Sequence, residues 1–302
     1  MSVAAGSGPV DAPLLPEPVT RPKGVLAFVR RQPLTFLVVS AILAIYVLVA
    51  VTGPWWAPYP PDELLTGDPF APPSWDHLLG TDNFGRDVFS RLVHGERLVL
   101  GLALATAGLS VIVGSAVGLL SACLRGWPDE LLGRVLEILI SIPPLIIALL
   151  VLGSLGSSYL LTVSLVALFF AIRVATVIRA AALDVVVEDF VTLAKLRGEP
   201  IWSIAGREIL PNVSSAVLVE FSLRTGYAVL FIGGLSFLGF GPAPPTPDWG
   251  LMINEGRTYI STAPWPVLGP ALALAGLVVA LSLFTERISE VLGLSVQRAP
   301  SQ

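Results

Sequence analysis

Three charged residues interrupt otherwise uncharged stretches of this 302-residue chain: Arg173, Glu220 and Arg224. In hydrocarbon a charge at mid-depth costs about 2.5–3.5 kcal/mol on insertion scales, so side chains kept there face protein or water and hold an opposite charge. Glu220 and Arg224 are spaced i, i+4 with the acid first, the favourable order for a helical pair, so they neutralise each other in one reading. In the other, Glu220 lines a passage and meets the ammonium of a solute. No catalytic constellation accompanies these charges. His77 and His94 lack a partner histidine at metal spacing and read as surface or interfacial residues. Asp82, Asn83 and Asp87 around Gly85 lack the spacing of a calcium loop and read as a turn with a helix cap. A phosphate-cradling loop needs glycine before lysine, and the two lysines follow Pro22 and Ala194, so the chain is not itself a P-loop ATPase. Cys123 is the single thiol; it closes no disulfide or metal cage within the chain and reads as a small buried hydrophobe.

The elements that must position these residues are membrane spans. Only 13% of residues are charged and 54% are hydrophobic, and the mean hydropathy is +0.79. That is more apolar surface than one soluble core can hide, so the unit to count is a run of about 20 apolar residues. A net charge of −4 with two lysines gives no nucleic-acid footprint. Residues 34–53 form a retained first span, because the run exceeds a signal-peptide core and the Pro-rich stretch after it offers no cleavage site. Residues 98–124 form a second, whose Gly101, Gly108, Gly114, Ser115 and Gly118 let neighbouring helices approach closely. The 35 uncharged residues from Ile138 to Ile172 are too many for one helix. They divide at Gly153–Ser158 into spans at about 132–152 and 158–180, the first kinked by Pro143 and Pro144, a candidate gate hinge. Spans at about 212–235 and 266–285 complete six. The fold class is therefore an all-α polytopic membrane protein.

Twelve lysines and arginines fall on the side of the termini against four on the other, Arg86, Arg91, Arg97 and Arg257, so the positive-inside rule puts both termini in the cytoplasm. Trp55, Trp56, Trp127, Trp249 and Trp265 flank the spans as an aromatic belt. Residues 1–30 read as a disordered cytoplasmic tail and 293–302 as a second tail. Residues 31–97 hold the first span and a Pro-stiffened outer loop, 54–97, in which seven acids face three arginines. An amphipathic turn carrying Val88, Phe89, Leu92 and Val93 follows from about Gly85. Residues 98–292 form a five-helix core.

The loop between the fourth and fifth spans, residues 188–208, is too apolar for a solvated connection. Phe190, Leu193, Ala194, Ile201 and Ile204 share one helical face, with Asp189, Thr192, Lys195 and Glu199 elsewhere. Gly198 is placed to stop one helix and Pro200 to start the next. Two short helices with a tight corner are expected there, docking in a partner's groove.

The run Ala194-x3-Gly198-x10-Ile209-Leu210-Pro211-Asn212 resembles the EAA loop of ABC importer permeases, the coupling helix that fits a cleft on a cytoplasmic ATPase. Two further blocks, Leu79 to Arg91 and Leu235 to Gly241 with Pro244 to Gly250, narrow the likeness to the second permease subunit of dipeptide, oligopeptide and nickel importers, over residues 30–292. The resemblance implies a type I importer transmembrane domain, non-catalytic in itself, in the bacterial inner membrane. Its implied partners are a paralogous second permease in a heterodimer, two ATPase subunits that bind ATP and magnesium, and an extracytoplasmic binding protein; no cofactor is implied in this chain. The implied ATPase-coupling residues are Asp189, Phe190, Thr192, Leu193, Ala194, Arg197, Gly198 and Glu199, and the pathway candidates are Arg173, Glu220, Arg224, Pro143 and Pro144. Asp82, Arg86, Asp87, Asp248 and Trp249, in segments 54–97 and 241–264, are implied to meet the binding protein.

The chain departs from the family where Thr192-Leu193-Ala194 replaces Glu-Ala-Ala, so either Asp189 and Glu188 supply the missing acid or the partner's cleft differs. It departs again at Ile172 to Thr176, with Arg179 in its matching place, and at Ile232, where an acid is common. Peptides are the expected solutes, with nickel chelates or glutathione-like thiols as alternatives. A stand-alone secondary transporter or channel, or a non-transporting scaffold, would lack ATPase partners.

Overall fold

The computed structural model describes residues 34–124 and 126–291. The proposed tails at 1–30 and 293–302, and Arg30, Arg31 and Arg125, lie outside the described residues. Among the described residues the chain is helical, with one isolated β-bridge, Thr81 to Asp87. The elements run α1 (Leu34–Trp56), α2 (Val88–Leu124), α3 (Trp127–Ser141), α4 (Pro144–Leu155), α5 (Tyr159–Val186), α6 (Asp189–Leu196) and α7 (Ile201–Ser203). A π-helical turn (Ile204–Ile209), α8 (Leu210–Asn212), α9 (Ser214–Leu235), a second π-helical turn (Ser236–Phe240), α10 (Trp249–Gly256) and α11 (Trp265–Val291) follow.

Five helices, α1, α2, α5, α9 with its π turn, and α11, are long and apolar enough to cross a membrane, and α3 with α4 makes a sixth span if the bent pair is counted as one. Their axes meet at 76°. The expected kink at Pro143 and Pro144 is thus a full break: Ile142 and Pro143 are extended, and Pro144 begins a new helix. Two successive prolines explain it, since both lack the N–H that would continue the ladder and Pro144 holds Pro143 out of the α region. The second span also starts earlier than expected. The amphipathic turn after Gly85 is the beginning of α2, whose 37 residues reach about 55 Å, well beyond a hydrocarbon core of about 30 Å.

α2 and α5 form the centre. At Gly114 an added Cβ would lie 2.6 Å from the Ala171 carbonyl oxygen, and at Gly118 2.6 Å from that of Ala175. Glycines one turn apart let the two backbones touch. Gly101 and Gly108 face open space, so the close approach belongs to two of the glycines alone. Two apolar clusters fill the bundle. One, near the end carrying α10, joins Val99, Ala103, Leu152, Val166, Ala228, Trp249 and Leu277. The other, at the opposite end, joins Val111, Leu119, Val174, Ile178 and Ala182 to Val191, Ala194, Ile204 and Ile209. α1 lies at the periphery and exposes Leu34, Val38, Ile42, Ile45, Leu48 and Val51, an uninterrupted apolar face suited to lipid.

Candidate functional site

The corner between α6 and α7 forms as its local chemistry requires. α6 ends at Leu196, Gly198 takes φ +74°, and Pro200 precedes the first turn of α7. A left-handed residue ends a helix at low cost only when it lacks a Cβ. The corner is clasped by Arg197, whose Nε and Nη2 donate to Glu199 Oε1 at 3.0 and 2.7 Å, and Ser203 Oγ donates to Glu199 Oε2. The Arg197 hydrogen bonds hold the Glu199 carboxyl below its ordinary value.

The face that the corner buries differs from the expected one. Val191, Ala194, Ile204 and Ile209 are sealed into the bundle core, whereas Phe190, Leu193 and Ile201 are exposed. Within α6 the bundle packs on the Val191–Ala194 side, and beyond the Gly198 turn it packs on Ile204 and Ile209. Ala194 is fully buried and so seats α6 against the bundle instead of touching a partner. Asp189, Thr192, Arg197 and Gly198 are exposed and Glu199 is half-buried. Glu188 and Asp189, both exposed, lie one turn before Thr192, on its side of the helix. The sequence reading missed two prominent groups, Leu196 and Trp202, exposed by 79% and 72%. Leu193 is exposed as well, and Trp202 lines a groove with Ile112, Ala116 and Leu119 of α2, so the corner leaves apolar side chains uncovered between charged flanks. An aromatic beside the Pro200 start was the available signal.

The mid-span charges separate into two kinds. Arg224 donates through Nε and Nη2 to Glu220 Oε2, both residues are buried, and the guanidinium lies over the rings of Phe170 and Tyr227 at 5.8 and 5.5 Å. The pair is internally neutralised, so neither residue is a free pathway group in this arrangement. Arg173 is exposed. Pro143 is exposed at the break and Pro144 half-buried. A further pair that the sequence left unlinked joins α5 to α3: Arg179 Nε and Nη2 donate to Asp129 Oδ1 and Oδ2 at 2.5 and 2.6 Å, and Ser121 Oγ of α2 donates to Asp129 Oδ1.

At the α10 end, the five residues expected to meet a binding protein are buried within the chain: Asp82 4%, Arg86 2%, Asp87 3%, Asp248 1% and Trp249 0% exposed. They cannot form a docking surface in this arrangement, because each is used internally. Asp82 Oδ2 accepts from Arg86 Nε and Arg91 Nη1, both at 2.6 Å, and Glu255 Oε2 of α10 accepts from Arg86 Nη2 and Arg91 Nη1. Asp87 caps α2 by accepting from the Ser90 N–H, as the turn-and-cap reading expects, and also pairs with His77 Nδ1 at 2.9 Å. His77 is therefore buried rather than on the surface. Trp249 does not sit in an aromatic belt; its indole N–H donates to the Leu92 carbonyl and ties α10 to α2. Asp248 caps α10 through the Leu251 N–H, and burial pushes its carboxyl above its ordinary value. The exposed acids here are Asp62, Glu63, Asp68 and Asp76, beside exposed Leu65 and Trp75.

Comparison with known proteins accords with this architecture. The chain is 33% identical over 263 residues to a di/tripeptide transport system permease protein of Pseudomonas aeruginosa, covering 85% of this chain and 87% of the relative. It is 32% identical over 284 residues to a glutathione transport system permease protein of Pectobacterium atrosepticum, covering 91% and 94%. It is 30% identical over 256 residues to a dipeptide transport system permease protein of Alkalihalophilus pseudofirmus, covering 83% of each. Among solved structures, a chain of the MetNI methionine ABC transporter in inward-facing conformations superposes with a TM-score of 0.53 at 16% identity, over 67% of this chain and 96% of that one, a likeness of fold. The family profile for binding-protein-dependent transport system inner membrane components matches residues 114–298. With buried helix pairs, a sixth broken span and a docked corner in the same order as the sequence blocks, this chain belongs to the binding-protein-dependent transport system inner membrane components.

Proposed function

We propose that this chain is one of two paralogous permease subunits of an ATP-driven importer for di- or oligopeptides. Both termini face the cytoplasm, and α6 and α7 meet one of two ATPase subunits, which bind ATP and magnesium; the chain itself catalyses nothing. The observation that carries this reading is the two-sidedness of the corner. Leu193, Leu196 and Trp202 point outward while Val191, Ala194 and Ile204 share a core with α2 and α5. A force on the exposed side therefore reaches the spans without slack. ATP biases the spans only if the corner contacts the ATPases differently in the two states. The broken α3–α4 span, with Pro143 at its vertex, is the element suited to gate.

The peptide assignment rests on two relatives named for di- or tripeptides. The relative named for glutathione supports a second reading, a γ-linked tripeptide. The outer platform for a binding protein is assigned to the exposed side chains Asp62, Glu63, Asp68 and Asp76 with Trp75, in place of the buried group around Asp82. Co-purification tests the partnership. The wild-type chain expressed with its genomic ATPases should retain them in detergent, and Leu193→Ser with Trp202→Ser should lose most of them while the chain still folds. A wild-type chain that works without ATPases, by ion-coupled uptake, would instead be a secondary transporter.

A further inference from the structure

Three helices meet on one carboxylate. Asp129, in the first turn of α3, accepts from Arg179 Nε and Nη2 of α5 at 2.5 and 2.6 Å and from Ser121 Oγ of α2 at 2.5 Å. The Asp129 side chain is 11% exposed and that of Arg179 27%. A largely buried ion pair adds little net stability over an apolar contact of similar volume, but it fixes direction: a bidentate grip does not slide as two apolar surfaces do.

That grip lies between the corner and the broken span. On the α5 side, Arg179 is seven residues, about 10 Å, before the end of the helix at Val186. Ala182 and Val186 follow it at i+3 and i+7 and share a core with Val191 and Ala194 of α6. Its backbone belongs to the tight α2–α5 contact, where a Cβ added to Gly118 would lie 2.9 Å from the Arg179 nitrogen. On the α3 side, Asp129 and Leu136, two turns apart, are buried, whereas Trp127, Leu131, Val135, Ile138 and Leu139 are exposed. Backbone joints bound α3 at both ends. Gly126, at φ +76°, precedes it, and extended Ile142 and Pro143 follow it before α4 turns away at 76°. Residues at element ends are where hinges absorb their changes in φ and ψ. α3 is thus a strut between two joints, gripped in its first turn by α5.

We propose that Asp129 and Arg179 are positioning residues that carry movement of the α6–α7 corner through α5 to α3, and so to the break at Pro143. This rests on the permease reading above. A shift of α6 takes the last turns of α5 with it through Ala182 and Val186, and the grip obliges α3 to follow about its Gly126 joint. Without the grip, α3 keeps the apolar contact of Leu136, which lets it slip, and the break no longer follows the corner.

The test uses the complete complex, with partner permease, ATPases and binding protein, in proteoliposomes. Arg179→Gln should keep hydrolysing ATP while delivering less labelled dipeptide, so that the ATP consumed per peptide rises about fivefold or more, the lower end of ordinary coupling energies. The exchanged pair, Asp129→Arg with Arg179→Asp, should bring that ratio most of the way back. A second readout separates transmission from mere folding. In a Cys123→Ser background, a maleimide should label Ile138→Cys on α3 at different rates in the nucleotide-free and vanadate-trapped complexes, and adding Arg179→Gln should abolish the difference. A wild-type ratio in Arg179→Gln, or a nucleotide-dependent difference at Ile138→Cys that survives it, overturns the proposal. Should Arg179→Gln fail to assemble, Arg179→Lys takes its place: it keeps the charge but loses the bidentate grip, so its ratio should still rise, and a wild-type ratio there overturns the proposal equally. No ATP-driven uptake by the wild-type complex would be a failure of the permease reading itself.

Discussion

Arg224 directs two hydrogen bonds at one oxygen of Glu220, 2.9 Å from Nε and 2.7 Å from Nη2, in the middle of α9. Glu220→Gln removes the charge that compensates a buried guanidinium, and breaking such a pair costs about 3–5 kcal/mol. The expected outcome is a lower Tm in detergent and a lower yield of assembled complex. The double variant Glu220→Gln with Arg224→Gln should recover part of the loss. An unchanged Tm in the single variant would mean that the pair does not form.

Ala194 is fully buried where α6 sits on the bundle, and an aspartate there would place an unpaired carboxylate against Val191 and Ile204. Ala194→Asp should unseat α6 and uncouple hydrolysis from uptake, with ATP consumed per peptide delivered rising severalfold. Side-by-side hydrolysis and uptake assays in proteoliposomes check it. A normal ratio would remove α6 from the transmission route.

Gly114 and Gly101 occupy the same helix in opposite circumstances. An added methyl at Gly114 meets the Ala171 carbonyl at 2.6 Å and the Val174 Cβ at 2.6 Å, while one at Gly101 meets open space. Gly114→Ala should therefore pry α2 from α5 and lower Tm. Gly101→Ala should be neutral or stabilising by up to about 1 kcal/mol, since alanine restricts the unfolded chain more than glycine. Equal effects of the two substitutions on thermal unfolding would contradict the close approach.

Asp248 caps α10 from a buried position, and burial raises its carboxyl above the usual range. A raised folded-state value means that the folded protein binds the proton more tightly than the unfolded chain. Its charge therefore weakens the fold increasingly as pH rises past the ordinary carboxylate range, and the cost disappears at acid pH. Asparagine caps helices about as well as aspartate. Asp248→Asn should thus melt above wild type at neutral pH, with the difference shrinking as pH falls. A difference independent of pH would place the carboxyl in water.

The spans were legible because long uncharged runs have one explanation in water and another in lipid, and the Gly198–Pro200 corner was legible because few residues adopt its backbone. What each side chain faces was not. Val191, rather than Phe190 or Leu193, is buried because the bundle packs on the Val191–Ala194 side of α6, a choice of side that an apolar run on both sides of a helix does not encode. Asp82, Arg86 and Asp87 look like surface charges in sequence, yet they close on Arg91, His77 and the distant Glu255. A contact across 164 residues has no local signal. Trp249 was placed at an interface for the same reason, its acceptor being the Leu92 carbonyl on another helix.

The central claim is that this chain moves solute only when ATPases act on its α6–α7 corner. The most direct measurement is uptake of a labelled dipeptide by proteoliposomes holding the complete complex, with and without ATP and with and without the binding protein. The account predicts uptake that requires both and that falls to background when Leu193→Ser and Trp202→Ser are introduced together. Uptake driven by an ion gradient in the absence of ATP, or unaffected by those two substitutions, would contradict it.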